Sequence, residues 1–276
     1  MPELPEVETI RLQLQKFLVG RKITGIEIRK PKSFVGEVKK ILETRVLDVR
    51  RFGKVTVIDL DNGNSLLIHL KLTGQLLTSG VVGPYTRVVI NLDKGLPAGR
   101  QGKLIFNDQR IFGWIRVVDS GQVTVDRLIS KLGPEPFKDL TLEKFTKVVK
   151  ATSRAIKIVL MDQEKISGVG NIYANDALWL ARINPKRSAK NLSSSETETL
   201  YEALLKVLKD GLKFGGASDQ HYLKPDGTKG AYQKHFLVYG KKGEPCERPA
   251  CRKGGAKIIR ITVGGRGTFF CPACQR

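Results

Sequence analysis

The chain has 276 residues, of which 41% are hydrophobic, and this length and composition suit a globular protein with two cores. The formal net charge is +21, from 48 Lys and Arg against 27 Asp and Glu. Such an excess is typical of proteins that neutralise phosphates along a nucleic acid, although ribosomal and membrane-surface proteins share it. No stretch approaches the ~18 apolar residues of a transmembrane helix, and the N-terminus does not resemble a secretory signal. We therefore expect a cytoplasmic protein that is not secreted.

The first residues, MPELPEVE, place a proline directly after the initiator and three carboxylates close behind it. A small residue after Met1 favours removal of the methionine, which would leave Pro2 with a free secondary amine. An α-amino group titrates near pH ~8, so a sizeable neutral and nucleophilic fraction exists at physiological pH. Apolar residues recur at helical spacing up to Leu18, and Pro5 suits a first turn, so we expect a helix whose dipole disfavours an ammonium at Pro2. The alternative is an ordinary helix start.

A β-rich region follows this helix. Seven short segments, rich in β-branched residues and separated by turn signals, predict a sandwich or a barrel. They are Lys22–Arg29, Val46–Arg51, Val55–Leu60, Ser65–Leu70, Thr86–Leu92, Lys103–Asn107 and Trp114–Asp119. The clearest hairpin turn is Asp61-Asn62-Gly63-Asn64, and Asp93–Gly102 is typical of a surface loop.

The pattern becomes helical after a proline-rich segment, LGPEP, that ends at Pro136 and marks a domain boundary. We expect helices at Thr141–Lys150, Ile156–Gln163, Ile172–Ala181 and Ser193–Phe214. Between the middle two, ISGVGN could cradle an anion on its backbone N–H groups, although a tight inter-helical loop has the same composition. The stretch Ala217–Tyr232 is typical of a mobile loop.

All four cysteines lie near the C-terminus, as Cys246, Cys251, Cys271 and Cys274. Since the chain shows no sign of secretion, a metal site is favoured over disulfides. Four thiolates in two close pairs match a closed tetrahedral zinc site, with disulfides or free thiols as the alternative. Between the pairs, Lys257–Val263 and Thr268–Phe270 predict two strands with Arg266 at the tip of their hairpin.

The stretch PELPEVE, the segment GVGNIYANDAL and the cysteine hairpin resemble those of the formamidopyrimidine-DNA glycosylases, and the resemblance covers nearly the whole chain. It implies an α+β fold of two domains: an N-terminal helix with a β-sandwich, and a helical helix-two-turn-helix domain with a zinc β-hairpin. We expect a catalytic domain at residues 1–133, a DNA-binding domain with a lesion-capping loop at 134–240 and a zinc finger at 241–276. One Zn2+ held by four cysteines would be structural, because no position is left open for water.

The resemblance implies a bifunctional DNA glycosylase and AP lyase that removes oxidised purines, such as 8-oxoguanine and formamidopyrimidines, in base excision repair. Pro2 would attack the anomeric carbon and Glu3 would protonate the sugar ring oxygen. The resulting Schiff base would allow β- and then δ-elimination of the phosphates. Lys54, which also contacts a DNA phosphate in the family, and Arg266 would support these steps. A solvated lysine is the alternative for Lys54.

Further positions match DNA-binding residues of the family, which extrudes the damaged nucleotide from the duplex. In HLKLTG, Leu72 stands where a methionine usually fills the gap. In NDQRIFG, Arg110 would read the orphaned cytosine and Phe112 would enter the stack, although a lone phenylalanine is more often a core residue. Gln109 and Ile111 replace the usual proline and second arginine. The remaining expected contacts are Tyr85, Ser153, Arg154 and Asn171, of which Asn171 would hold the phosphate beside the lesion. Lys157 falls in the same basic segment as Ser153 and Arg154.

The loop after the long helix would bind the damaged base. Backbone amides would grip the carbonyl oxygen of the oxidised purine, and Glu6 is also assigned to base binding. The residues that carry these amides would be Asp219, Gln220, His221 and Tyr222.

Damaged double-stranded DNA is the expected partner, and we expect a monomer that is associated with the nucleoid and not with a membrane. Two alternatives stay open. An endonuclease VIII-like enzyme for oxidised pyrimidines would share the fold and chemistry, but that branch typically begins PEGPE. A non-catalytic DNA-binding relative would lose the amine or Glu3, and both are intact here.

Overall fold

The computed structural model describes residues 1–93, 102–219 and 221–276 and divides into two compact units. The first unit comprises Met1–Ser130 and Gly211–Gln233, and the second comprises Lys131–Asp210 and Lys234–Arg276. Gln220 and all but the two end residues of the predicted loop at 93–102 lie outside the described residues. The α+β fold class, β-rich first and helical afterwards, is confirmed. The division into residues 1–133, 134–240 and 241–276 stays a prediction.

The first unit begins with helix α1 (Leu4–Leu18), whose apolar face is buried because Ile10 and Leu14 recur on one side of it. The strands described for this unit are β1 (Ile23–Ile28), β2 (Phe34–Val35), β3 (Val46–Phe52), β4 (Val55–Leu60), β5 (Asn64–His69), β6 (Gly74–Leu77), β7 (Thr86–Leu92), β8 (Lys103–Asp108) and β9 (Trp114–Asp119). All seven predicted strands are present. The pattern missed β2, which has only two residues, and β6, which directly follows the HLKLT segment.

Two separate sheets form in this unit, with strand orders β1-β7-β8-β6 and β2-β9-β5-β4-β3. Neighbouring strands are antiparallel except for β2 and β9. Apolar side chains from α1 and from both sheets, including Leu66 and Phe106, form one core. The predicted β-rich domain is therefore a sandwich rather than a closed barrel.

The second unit contains α2 (Leu142–Lys150), α3 (Ile156–Met161), α4 (Asn171–Leu180), most of α5 (Ser194–Lys213), α6 (Pro249–Lys253), β10 (Ile259–Val263) and β11 (Arg266–Phe270). The four predicted helices are present, and the short α6 was missed. Arg266 does not lie in the turn itself: it opens β11 and pairs with Val263. The turn is Gly264-Gly265, with φ of 55° and 72°, values that suit glycine in a two-residue hairpin turn. None of the helices that the structure describes combines the length and apolar character needed to cross a bilayer.

Candidate active site and nucleic-acid interface

The N-terminal carboxylates are fixed by the start of α1. Glu3 is the N-cap residue, and a capping box joins it to Glu6, whose Oε2 accepts from the Glu3 backbone N–H at 2.7 Å. Glu3 and Glu6 are only 3% and 2% exposed. Pro2 is also buried, whereas the Met1 side chain is 47% exposed. A buried carboxyl group therefore lies one residue from the nitrogen that removal of Met1 would convert to an amine.

Glu6 also holds the beginning of the loop that follows α5. Its Oε1 accepts from the Ala217 backbone N–H at 2.8 Å, and the Tyr222 hydroxyl donates to its backbone carbonyl at 3.4 Å. A Cβ added to Gly216, whose φ is 83°, would stand 2.8 Å from the Glu6 Cγ. Burial, with the Glu6 charge nearby, raises the pKa of Tyr222 well above its usual value. The side chain of Tyr222 is thus a neutral core group, while Asp219 and His221 are exposed.

Lys54 lies in the tight turn between β3 and β4, one residue before β4, and is only 6% exposed. The alternative of an ordinary solvated lysine is therefore wrong. Arg51, itself buried, donates from Nη1 to the Gly53 carbonyl at 2.9 Å and from Nε to Glu8 Oε2 at 2.7 Å. Glu8 and Arg51 connect α1 to the turn that carries Lys54, and neither role was predicted from the sequence.

The electrostatics around Glu8 favour its ionised form. Burial raises the pKa of Glu8, but hydrogen bonds and charge from Arg11 and Arg51 outweigh it and hold that pKa below its ordinary value of 4.5. Near the same turn, burial and the charges of Lys71 and Lys54 lower the pKa of His69 to about 3. His69 is therefore neutral, and its Nδ1 accepts from the Lys71 backbone N–H at 3.0 Å.

The three side chains assigned to the duplex gap are accessible. Leu72 is half-buried in the loop between β5 and β6, and Arg110 and Phe112 are exposed in the loop between β8 and β9. Phe112 is 48% exposed and lies under the Arg110 guanidinium at 4.9 Å, so the alternative of a core phenylalanine is wrong. Lys71 and Ile111, neither a glycine, have positive φ of 52° and 59°. Tyr85 is also exposed.

In the second unit, the ISGVGN turn has the geometry expected before a helix. The Gln163 side chain accepts from the Gly168 N–H at 2.9 Å and donates to the Val169 carbonyl at 2.7 Å, and α4 begins at Asn171. The positive end of the helix dipole and the backbone N–H groups at a helix start attract anions. Ser153 and Arg154 are exposed, and Arg154 pairs with Asp162 at 2.8 Å.

The β10–β11 hairpin is anchored to α3 and α4 next to Arg266. The Asn171 side chain donates to the Gly267 carbonyl at 3.1 Å, and the Lys157 ammonium donates to that carbonyl at 3.0 Å and to Thr268 Oγ1 at 2.6 Å. Lys157 is fully buried, so it does not face DNA as its position in a basic segment suggested. Arg266 itself is exposed.

The four cysteines converge as predicted. Their sulfur atoms all lie within 4.8 Å of one another, and Cys246 and Cys274 are separated by 4.0 Å. A tetrahedron of zinc–sulfur bonds of about 2.3 Å has edges of about 3.8 Å, whereas a disulfide needs about 2.05 Å. All four are reduced, which excludes the disulfide alternative in this structure. The group can bind a metal ion, and it packs against Trp179 and Val238.

Comparisons with known proteins agree over the full length. Two family models match: the formamidopyrimidine-DNA glycosylase N-terminal domain at residues 1–115 and the formamidopyrimidine-DNA glycosylase H2TH domain at residues 132–222. The formamidopyrimidine-DNA glycosylase of Herpetosiphon aurantiacus is 38% identical, with 100% of both chains covered. That of Pelotomaculum thermopropionicum is 39% identical, over 100% of this chain and 99% of its own.

Solved structures give the same result. The MutM (Fpg) protein of Thermus thermophilus is 39% identical, with a TM-score of 0.87 over 99% of this chain and 98% of its own. A Lactococcus lactis Fpg variant in complex with a Fapy-dG containing DNA is 33% identical, with a TM-score of 0.89 over 100% of both chains. The fold and these similarities define a DNA repair glycosylase. The chain belongs to the formamidopyrimidine-DNA glycosylase family.

Proposed function

We propose that the protein is a bifunctional glycosylase and AP lyase that excises oxidised purines from duplex DNA with the amine of Pro2 as nucleophile. The observation that carries the proposal is the buried Glu3 carboxyl group beside Pro2 at the start of α1. Solved structures of Lactococcus lactis Fpg contain Fapy-dG DNA and abasic-site DNA, which supports damaged duplex DNA as the partner.

In the glycosylase step, the Pro2 nitrogen forms a bond to the anomeric carbon while the bond from that carbon to the base breaks. Glu3 gives a proton to the ring oxygen of the sugar, which opens the ring and leaves a Schiff base on Pro2. The Glu3 carboxyl group is suited to this role by its position, because it is shielded from water and directly follows the attacking nitrogen in the chain.

In the lyase step, the Schiff base withdraws electrons and makes the adjacent C2′ proton acidic. Loss of that proton expels the 3′ phosphate, and a second elimination expels the 5′ phosphate. Lys54 and Arg266 are cations that support these departures by binding the phosphates. The buried turn around Lys54 gives its ammonium a restricted position, which favours such a role.

Extrusion of the nucleotide costs a few kcal/mol of stacking, which inserted side chains partly offset. We assign Leu72 and Phe112 to the gap, and Arg110 to the orphaned cytosine, because all three are accessible on two loops of the first unit. We assign the remaining DNA-binding residues to the sugar–phosphate backbone of the duplex: Tyr85, Ser153, Arg154 and Asn171.

The damaged base is bound by the loop after α5. Its main-chain N–H groups, from Asp219 through Tyr222, would donate hydrogen bonds to the carbonyl oxygen of an oxidised purine. Glu6 contributes by fixing the start of this loop at Ala217.

One structural zinc ion bound by the four cysteines completes the proposal. Four sulfur ligands form a closed shell, so the ion would fix the hairpin and take no part in the chemistry. A monomeric state and a cytoplasmic, nucleoid-associated location remain predictions.

Borohydride trapping on a set of duplexes tests the proposal. Duplexes with 8-oxoguanine opposite cytosine, with an oxidised pyrimidine and without damage are incubated with protein that lacks Met1. We expect a trapped complex mainly with 8-oxoguanine, and its near loss in Glu3→Gln but not in the surface control Glu27→Gln. Preferential trapping of the oxidised pyrimidine would favour the endonuclease VIII-like alternative, and no trapped complex with any duplex would contradict the amine mechanism.

A further inference from the structure

Asp108 is a buried carboxylate that the proposed chemistry does not use. It is the last residue of β8, has no exposed surface, and lies directly before the loop that carries Arg110 and Phe112. Burying a carboxylate is costly unless several donors satisfy it. Its hydrogen bonds therefore show which parts of the molecule depend on it.

Both carboxylate oxygens accept from the loop between β8 and β9. Oδ2 accepts from the Gly113 N–H at 2.7 Å, and Oδ1 accepts from the Arg110 N–H at 3.2 Å. The two N–H groups lie on either side of Ile111, which has the positive φ. A side chain at position 113 would clash, because an added Cβ would stand 2.9 Å from the Phe106 ring. Asp108 thus holds this loop in a conformation that its own sequence does not favour.

Thr73 connects the same carboxylate to the other loop. Its hydroxyl donates to Asp108 Oδ1 and accepts from the Arg110 N–H at 3.0 Å. Thr73 directly follows Leu72 in the chain and is only 6% exposed. The next residue, Gly74, is paired with Asp108 where β6 and β8 lie side by side. One hydroxyl and one carboxylate therefore join the loop of Leu72 to the loop of Arg110.

We propose that Thr73 and Asp108 are positioning residues that hold the two gap-filling loops in one fixed arrangement, so that extrusion and recognition of the orphaned base occur together. The inference rests on the proposed function of Leu72 and Arg110. Asp108 and Thr73 touch neither the substrate nor the reacting atoms. They act by fixing the backbone of Arg110, because a guanidinium recognises a base edge only when its plane is correctly oriented.

The variants Thr73→Val and Thr73→Ser form a matched pair, since valine keeps the shape and loses the hydroxyl while serine keeps the hydroxyl. Thr56→Val is the control for loss of a buried hydroxyl, because Thr56 is fully buried in β4 and its hydroxyl has no partner in the part of the chain that the structure describes. Asp108→Asn is the second probe: an amide has a single acceptor oxygen and cannot serve both loop N–H groups.

Two measurements are made on each variant. Single-turnover excision of 8-oxoguanine opposite cytosine and opposite adenine measures discrimination. Fluorescence of 2-aminopurine beside the lesion reports unstacking in the bound duplex without requiring catalysis. In Thr73→Val and Asp108→Asn we expect the excision rate opposite cytosine to fall roughly ten- to a hundredfold. The ratio of the rates opposite cytosine and adenine should also fall, and the 2-aminopurine fluorescence should be weaker. Thr73→Ser should match wild type.

If Thr73→Val behaves like Thr56→Val in rate, preference and fluorescence, the inference is wrong. A loss of rate with unchanged preference and unstacking would also contradict it, since that pattern indicates only a less stable fold. A failure of the proposed glycosylase and lyase function would be detected separately, because wild-type protein would then give no covalent complex in the borohydride trapping assay. The fluorescence comparison still decides the inference in that case, because it depends on binding alone.

Discussion

Glu8 is the one carboxylate in the first eight residues to which we assign no role in catalysis or base binding. Its substitution therefore tests whether its ion pair with Arg51 keeps the turn of Lys54 in place. Its Oε2 accepts from Arg51 Nε at 2.7 Å, and the Arg51 side chain is only 3% exposed. Arg51 in turn donates to the Gly53 carbonyl next to Lys54. The substitution Glu8→Gln keeps the shape and one acceptor oxygen but removes the charge that balances Arg51.

The expected loss of stability follows from the burial of the two partners. A hydrogen bond to a charged group contributes about 1.5–3 kcal/mol, and the 16% exposure of Glu8 places the expected loss in the lower part of that range through solvent screening. Because Glu8 has a lowered folded-state pKa, its contribution is present above pH 4.5 and is lost as the pH falls through the folded-state pKa. The difference between wild type and Glu8→Gln should therefore shrink below pH 4.5.

Two measurements test this prediction. Denaturant unfolding at pH 7 and at pH 4 gives the change in stability, and single-turnover strand cleavage at a preformed abasic site gives the change in lyase activity. We expect a lower unfolding midpoint at pH 7, a smaller difference at pH 4 and slower cleavage, since the turn that positions Lys54 is loosened. The surface pair of Glu143 and Lys147 supplies the control Glu143→Gln, which should change neither quantity. An equal destabilisation at both pH values would show that the charge of Glu8 does not stabilise the fold. Unchanged cleavage in a destabilised Glu8→Gln would show that the pair of Glu8 and Arg51 does not position Lys54.

Three further predictions concern DNA recognition and the metal. Arg110→Ala should reduce a preference for cytosine over adenine by roughly ten- to a hundredfold, whereas Leu72→Ala should slow excision opposite both bases similarly; single-turnover rates compare them. Arg266→Ala should lower the slope of log affinity against log salt by about 0.9, and Lys147→Ala should leave it unchanged, which titrations at several salt concentrations would measure. Elemental analysis should find one zinc per chain. Removal of that ion by a chelator should weaken DNA binding as Arg266→Ala does, because the proposed zinc ligation, with a binding free energy of about 10–16 kcal/mol in zinc-finger peptides, would fix the hairpin.

The sequence pattern was sufficient to predict those elements whose signals lie within a short stretch of the chain. The α1 helix, the seven longer strands and the cysteine cluster were all predicted from periodicity, turn residues and spacing. The strand β6 was missed because its four residues follow a loop without a clear turn signal. Arg266 was placed in the turn because glycines lie on both sides of it, whereas Gly264 and Gly265 alone complete the turn.

Residues that act through distant partners could not be predicted from local pattern. Lys157 was expected to face DNA because it falls in a segment where the family has DNA-facing basic residues. The fold instead buries it against Thr268, which is 111 positions away. Asp108 is similarly satisfied by Thr73, 35 positions away. Glu8 looked like one more acidic residue of a first turn, and only the fold brings Arg51 to it.

The proposed mechanism requires the N-terminal amine of Pro2 to form the covalent intermediate, so the residue to which the sugar is attached distinguishes this amine from every other nucleophile. Wild-type protein without Met1 is reacted with 8-oxoguanine duplex, reduced with borohydride and digested, and the modified peptide is sequenced by mass spectrometry. We predict that the reduced sugar is attached to Pro2 and that protein retaining Met1 gives no adduct. Attachment to a lysine, such as the buried Lys54, would contradict the amine mechanism.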